Sequence, residues 1–327
     1  MKIFVLIKRN IFTIIFSLFL IFLVIFSKNN LVATKDGLNL WWSSVIPSLL
    51  PFFIATNLLN YTNTANIFGK ALSKIIKPLF NIPGEGAYAF IMGVISGCPI
   101  GAKIVSELYD ARICTKDEAE RMLAFTNNSG PLFIIGTVGV LLFGNSTIGV
   151  LLFITHLLSA ISVGIVFGIC SRIYKYPSKN ISPNYKSEKN SNVSISNLGE
   201  ILAVSISSSI SSVLQIGGFV ILFSVILSIL NRLNVISAFG NLLAFFKIPH
   251  EYSEGFICGI LELTNGVDIV CKIHTKTISN SIVLCAFLLG FGGFSILLQV
   301  LSIVSKFGLS IKNYFFGKIL QGLFASF

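Results

Sequence analysis

The sequence is poor in charge. Of its 327 residues, 11% are Asp, Glu, Lys or Arg, less than half of the ~25% that is usual in soluble domains. Hydrophobic residues make up 54%, and the mean hydropathy is +0.85. A water-soluble fold of this size cannot bury so much apolar surface, and a disordered chain would not contain it. The composition excludes a soluble enzyme and a disordered protein, and it indicates a helical protein that crosses the membrane several times.

The sequence also lacks the short motifs of common enzymes and metal sites. It contains no HExxH, no GxSxG, no Walker loop and no CxxC pair. Its six cysteines are scattered singly, which is typical of small fillers in membrane helices. We therefore expect no enzymatic activity, no metal and no cofactor.

Acidic residues are scarcer than basic ones, 13 against 24. In a soluble protein this excess would suggest a nucleic-acid partner. Here the basic residues cluster between apolar runs, where they act as topology signals, so we expect no nucleic-acid partner. Most of them lie on the cytoplasmic side if the N-terminus is cytoplasmic. The groups placed there are Lys2, Lys8 and Arg9; Lys70, Lys74 and Lys77; Arg172, Lys175, Lys179, Lys186 and Lys189; and Lys306, Lys312 and Lys318.

Charge-free stretches predict the membrane segments, since a spanning helix needs about 20 apolar residues. The first stretch is interpreted as a retained signal-anchor helix. The stretch 122–171 is long enough for two spans and divides at a turn signal, 143–147. The short stretch 86–102 is interrupted by glycine and proline, so we expect it to enter the membrane without crossing it. The full set is 10–27, 37–69, 86–102, 122–171, 201–231 and 277–305.

The chain contains an internal duplication. At an offset of 166 residues, Phe80-x-Ile82-Pro83-x-Glu85 matches Phe246-x-Ile248-Pro249-x-Glu251, and Phe90-Ile91-x-Gly93 matches Phe256-Ile257-x-Gly259. The predicted organisation is an anchor (1–35), repeat 1 (36–174), a cytoplasmic linker (175–197) and repeat 2 (198–327). Because the linker is cytoplasmic, the second repeat starts on the opposite side from the first. Inverted repeats with interrupted hydrophobic segments are typical of secondary transporters.

Each repeat is predicted to contain the same four elements: a span, an interfacial amphipathic helix, a re-entrant hairpin and a broken span. In repeat 1 these are 38–60, 65–80, 84–121 and 122–142, followed by a full helix, 148–174. In repeat 2 they are 200–231, 235–247, 250–277 and 279–303. Only 309–327 remains as the last counterpart, and the sequence leaves open whether it crosses the membrane.

Polar breaks lie at matching positions of the two repeats. The predicted hairpin tips are Ser96–Lys103 and Glu262–Gly266, and the predicted broken spans contain Asn127–Pro131 and Gly292–Ser295. At membrane depth, an interruption of a helix is tolerated only where it is buried in protein or lies beside a water-filled cavity. The functional interpretation is a solute site in which helix N-termini bind an anion. The alternative is a packed kink or polar contact between helices.

Three ionisable residues lie near these breaks. Lys103 is the charge nearest a tip and is a candidate for binding an anion. Glu262 has no charged neighbour in sequence, so it is the candidate for coupling to a proton or sodium ion. His156 is interpreted as a hydrogen-bonded core residue in preference to a proton relay.

The motifs Ser-Gly-Cys-Pro-Ile-Gly-Ala-Lys (96–103), Asn-Asn-Ser-Gly-Pro (127–131), Leu-Glu-Leu-Thr-Asn-Gly (261–266) and Gly-Phe-Gly-Gly-Phe-Ser (290–295) resemble those of the nucleoside-recognition Gate domain family. More closely, they resemble the YlbJ-type sporulation integral membrane proteins. The resemblance implies transport of dipicolinic acid across the outer forespore membrane. It also implies a fold similar to concentrative nucleoside transporters, in which two hairpin tips and two broken spans form the solute site.

Carried over by position, the resemblance implies a set of solute-binding residues drawn from both repeats. They are Ser96, Gly97, Cys98, Pro99, Lys103, Asn127, Asn128, Ser129, Glu262, Thr264, Asn265, Phe294 and Ser295. Phe294 is expected to contact the aromatic ring of the solute. Two alternatives remain open: transport of nucleosides or another small polar solute, and a structural role in a sporulation membrane complex.

Overall fold

The computed structural model describes residues 10–62, 64–174, 196–244, 249–273 and 278–327. Throughout these ranges the regular structure is helical. The helices are α1 Ile11–Ile25, α2 Ser27–Leu40, α3 Ile46–Leu59, α4 Thr64–Phe80, α5 Gly86–Ser96, α6 Ile100–Asp110, α7 Lys116–Thr126, α8 Leu132–Leu142 (wound as a π-helix), α9 Ser146–Ile173, α10 Leu198–Arg232, α11 Val235–Ala244, α12 His250–Leu261, α13 Leu263–Cys271, α14 Ile278–Phe291, α15 Gly293–Val304 and α16 Lys312–Ser326. Most of the predicted linker, together with Phe246 and Ile248 of the repeat signature, lies outside the described residues.

Four helical runs in the described part of the chain are long and apolar enough to cross a bilayer. They are Ser27–Leu59, Ser146–Ile173, Leu198–Arg232 and Ile278–Phe307. The first run joins α2 to α3 through a π-helical turn, Trp41–Val45. The prediction of an all-helical protein with several membrane spans is therefore confirmed. The predicted N-terminal anchor corresponds to α1, a helix of 15 residues that buries none of them.

The same order of helices occurs in both halves of the chain. A long run, an amphipathic helix, a pair of short helices and a broken helix follow one another as α2–α3, α4, α5–α6 and α7–α8. They do so again as α10, α11, α12–α13 and α14–α15. Within each short pair the two helices pack against each other. The first broken helix begins at Lys116, earlier than the predicted 122, because Thr115 and Glu118 form a reciprocal N-cap there.

Hydrogen bonds connect four chain segments to one another at one end of the helix bundle. The Asn81 amide after α4 donates to Ser171 Oγ at the end of α9 (2.8 Å). At the start of α7, Arg121 donates to the Asn81 carbonyl (2.8 Å), and Glu120 accepts from the Ser310 amide just before α16 (2.8 Å). The basic-residue pattern predicts these segments to be cytoplasmic.

The last helix, α16, lies inside the bundle. It packs on α7, α9 and α14 and buries Tyr314, Lys318 and Gln321. The assignment of Lys318 to the cytoplasmic basic groups is wrong, since only 3% of this side chain is exposed. The spacing of three and four residues places these three side chains on one helix face, and that face is turned toward the other helices.

Glycines let the broken helices approach the short helix pairs. In the first half, the Thr126 carbonyl lies against both Gly93 of α5 and Gly101 of α6, so closely that a Cβ on either would overlap with it. In the second half, Gly293 at the start of α15 lies against the Gly259 carbonyl of α12. The glycines therefore hold each break against its neighbouring helix pair.

We expect Gly93→Ala to destabilise the protein, because the added methyl group overlaps with the Thr126 carbonyl and the backbone must shift. Overpacking of this kind costs about 1–3 kcal/mol, which should lower the unfolding midpoint of the detergent-purified protein by several degrees. Gly218→Ala on α10 is the control, since nothing lies within 4 Å of its Cβ position. Equal midpoints for the two variants would contradict the proposed contact.

Candidate functional site

Four interruptions of helices lie in the protein interior. They are the turn Gly97–Pro99 between α5 and α6, the break Asn127–Pro131 between α7 and α8, Glu262 between α12 and α13, and Gly292 between α14 and α15. Gly97 and Gly292 have φ of 85° and 84°, values that favour glycine. The neighbouring polar side chains are buried, so they need hydrogen-bond partners within the protein.

Both halves of the chain contribute to one interior cavity of about 60 Å³. Its apolar wall comes from α8, α10, α15 and the segment around Leu49, and includes Phe133, Val220 and Ile296. Its polar wall contains residues from three of the four breaks, Ser48 of α3, and Gln299, which lies nearly two turns into the helix after the fourth break. These polar residues are Ser48, Cys98, Ser129, Glu262, Thr264 and Gln299.

The first-half break is held by hydrogen bonds to the last helix. The Asn127 amide donates to Cys98 Sγ (3.3 Å) and to the Tyr314 hydroxyl (3.2 Å). Asn128 Nδ2 donates to the Phe125 carbonyl (2.8 Å), and its Oδ1 accepts from Gln321 Nε2 (2.9 Å). These two asparagines therefore fix the shape of the break, and they lie behind the cavity wall.

Cys98 and Ser129 connect this network of hydrogen bonds to the cavity. Cys98 Sγ donates to the Asn128 carbonyl at 3.1 Å. The backbone amide of Ser129 donates to His156 Nε2 at 3.2 Å. His156 is thus a hydrogen-bonded core residue, as predicted, and it helps to hold the break.

The junction between α12 and α13 is stabilised by a carboxylate of its own, that of Glu262. Glu262 accepts from the Thr264 hydroxyl (3.1 Å), the Asn265 backbone amide (2.7 Å) and the Asn265 side chain (2.9 Å). It therefore caps the N-terminus of α13, so this helix end is occupied by the protein's own negative charge. The sequence shows no charged neighbour for Glu262, but uncharged donors within three residues satisfy the carboxylate.

Nine of the thirteen predicted solute contacts do not line the cavity: Ser96, Gly97, Pro99, Lys103, Asn127, Asn128, Asn265, Phe294 and Ser295. Two of them, Lys103 and Phe294, lie beside other helices. Lys103 Nζ donates to Asn57 Oδ1 (3.0 Å) and to Ser208 Oγ (3.4 Å), between α3 and α10. Phe294 is 37% exposed and lines an apolar groove beside α11 and α12. Adjacent helical residues point about 100° apart, so the complete burial of Ser295 turns Phe294 outward.

A wider pocket of about 770 Å³ lies between α2, α10, α12 and α13. Its polar lining includes Asp36, Ser228, Arg232 and Glu254, and Asn265 forms part of its wall. The Asn265 amide donates to Ser224 Oγ at 3.1 Å as well as to Glu262. Asn265 therefore stands between this pocket and the carboxylate that lines the interior cavity.

The sequence analysis missed the contribution of α16. Tyr314, Lys318 and Gln321 form a buried polar face that reaches both asparagines of the first break. Their spacing was visible in the sequence, but the basic residues of this region read as membrane-flanking signals. Gln299, a polar residue of the second predicted broken span, lines the cavity. Ser48 was missed, since a single polar residue in an apolar helix carries little signal.

Comparison with known proteins identifies the family to which the chain belongs. The family model described as Gate, nucleoside recognition, matches residues 42–212. The sporulation integral membrane protein YlbJ of Bacillus subtilis (strain 168) is 35% identical over 313 residues, which cover 90% of this chain and 75% of that protein. No solved structure matches the chain significantly. The chain belongs to the Gate family and, within it, to the YlbJ-type sporulation integral membrane proteins.

Proposed function

We propose that this protein transports a small anionic solute, dipicolinic acid, across the outer forespore membrane during sporulation. The observation that carries the proposal is the interior cavity, at which three helix breaks from both halves meet and the fourth lies close by. A purely structural membrane component has no need of paired polar interruptions in its interior. Membership of a sporulation family supports the cellular setting.

The cavity must enlarge for transport to occur. Its volume of about 60 Å³ has room for a few water molecules, whereas sites for small organic ligands commonly measure about 300–1,000 Å³. We propose that the pairs α5–α6 and α12–α13 are re-entrant hairpins of two inverted repeats. Movement of one repeat against the other would then open the cavity to each side in turn.

The chemistry of the cavity suits a flat anion in two respects. Phe133, Val220 and Ile296 offer an apolar wall, and Ser129 and Gln299 offer donors. The N-terminus of α6, after Pro99, carries no side-chain cap, so its dipole favours negative charge. Glu262 works against an anion, and a proton or sodium ion taken up with the solute would offset its charge.

A second candidate is transport of a nucleoside or another small polar solute. The description of the matching family as nucleoside recognition favours it. The carboxylate of Glu262 favours it too, because a carboxylate can accept hydrogen bonds from sugar hydroxyls or base N–H groups. The two candidates differ in the charge of the solute, so a direct comparison of solutes distinguishes them.

We expect proteoliposomes containing the protein to take up dipicolinate in preference to uridine. Ser129→Ala and Gln299→Leu each remove a polar group from the cavity wall, which should weaken the apparent affinity about twofold to tenfold. The control is Ser43→Ala, an exposed serine whose hydroxyl donates to the Asn39 carbonyl. Preferential uptake of uridine would favour the second candidate. If neither solute is taken up, both candidate functions are contradicted.

We expect the turns after α6 and α13 to face opposite sides of the membrane if the repeats are inverted. Ala111→Cys and Lys272→Cys place a thiol at exposed positions in these turns. Both are made in a Cys170→Ser background, which removes the exposed native cysteine. A membrane-impermeant maleimide should label Lys272→Cys from outside intact cells and should label Ala111→Cys only after the membrane is opened. Labelling of both from one side would exclude inverted repeats.

A further inference from the structure

Lys318 is a buried cation for which the described residues supply no negative partner. Its side chain is 3% exposed in the middle of α16. The ion pairs found in the described ranges join Lys116 to Glu120 and Lys272 to Asp268, and neither involves Lys318. Burying a charge without a counter-charge costs several kcal/mol. A lysine at this position is therefore costly to the fold.

The neighbours of Lys318 satisfy its ammonium group only in part. One N–H donates to Gln321 Oε1 at 2.7 Å, and the nitrogen lies 5.8 Å from the centre of the Tyr314 ring. An ammonium has three donors, so a single neutral acceptor and an aromatic face leave capacity for a further acceptor. A carboxylate is the acceptor that would compensate the charge as well.

Lys318 lies one layer behind the cavity wall. Its partner Gln321 donates to Asn128 Oδ1 at 2.9 Å, and Tyr314 accepts from Asn127. Cys98, which lines the cavity, accepts from the same Asn127 amide that donates to Tyr314. The flexible four-carbon side chain of lysine can cover a short distance once the break at Asn127–Asn128 moves.

A second buried donor lies in the same region. His156 Nε2 accepts from the Ser129 amide, so in the neutral ring the proton is on Nδ1. Nδ1 is buried and has no hydrogen-bond partner among the described residues. This region therefore contains spare donors, on Lys318 and His156 Nδ1, together with a spare neutral acceptor, Asn127 Oδ1. The Glu262 carboxylate also lines the cavity, and its hydrogen bonds are supplied by Thr264 and Asn265.

We propose that Lys318 is the residue that binds a carboxylate of the transported solute, and that it thereby selects anions over neutral solutes. The inference rests on the proposed transport function and deepens it. Glu262 also lines the cavity and repels a carboxylate, so the solute's carboxylate is oriented away from Glu262 and toward α16. The last helix of the chain then determines specificity, although its residues lie outside the two hairpins.

The test compares Lys318→Met with Lys312→Met, an exposed lysine at the start of the same helix. Binding is measured as the rise in unfolding midpoint of the purified full-length protein on addition of dipicolinate, and uptake is measured in proteoliposomes. Lys318→Met should unfold at or above the wild-type midpoint, because it removes a buried charge. It should bind dipicolinate about tenfold to a hundredfold more weakly. Lys312→Met should behave as wild type.

The outcomes separate this inference from the proposed function. If the wild-type protein neither binds nor takes up dipicolinate, the proposed function fails. If the wild type binds dipicolinate and Lys318→Met binds it equally well, the function stands and the role of Lys318 is overturned. Equal weakening of dipicolinate and uridine by Lys318→Met would show a structural role and also overturn it. If Lys318→Met does not fold, Lys318→Gln, which keeps a donor for Gln321, is judged by the same criteria.

Discussion

Backbone and side-chain polar groups at a helix break cannot be satisfied by lipid, and the architecture of this protein depends on how its interior satisfies them. The first break is held by the asparagines at 127 and 128, which bond to α16, and by the Thr126 carbonyl, which lies between two glycines. The junction between α12 and α13 is held by Glu262, which caps the helix that follows it. Because the partners of the first break come from a distant part of the chain, that break can be stable only inside the assembled bundle.

This requirement divides the polar residues into two groups. Asn127, Asn128 and His156 hold the first break through hydrogen bonds, although Asn127 Oδ1 and His156 Nδ1 have no partner among the described residues. Ser129, Cys98 and Gln299 present polar atoms to the cavity. Residues of the first group resemble binding residues in sequence, since both kinds are polar residues in apolar runs. Only their partners in the fold distinguish the two.

The two buried charged side chains near the cavity, Glu262 and Lys318, are compensated in different ways. Glu262 is compensated locally, by a hydroxyl and two amide donors within three residues. Lys318 forms no ion pair with an acid of the described chain and has one neutral acceptor. A carboxylate can be satisfied by the N-terminus of its own helix, whereas a mid-helix ammonium cannot, because the nearby carbonyls are already used in the helix. The asymmetry in charge near the cavity arises from this difference.

Composition and the spacing of apolar runs were enough to determine that the protein is an all-helical membrane protein with several spans. The glycines, prolines and paired polar residues marked where helices break, because few other residues interrupt a helix in lipid. Tertiary structure alone decided which marked residues reach the cavity. Ser129 and Thr264 do, whereas Lys103 and Phe294 point toward other helices. It also decided that Lys318 is buried. A lysine close to other basic residues near an apolar run has the same sequence pattern whether it flanks the membrane or lies in the core. Only the packing of α16 against α7, α9 and α14 separates the two.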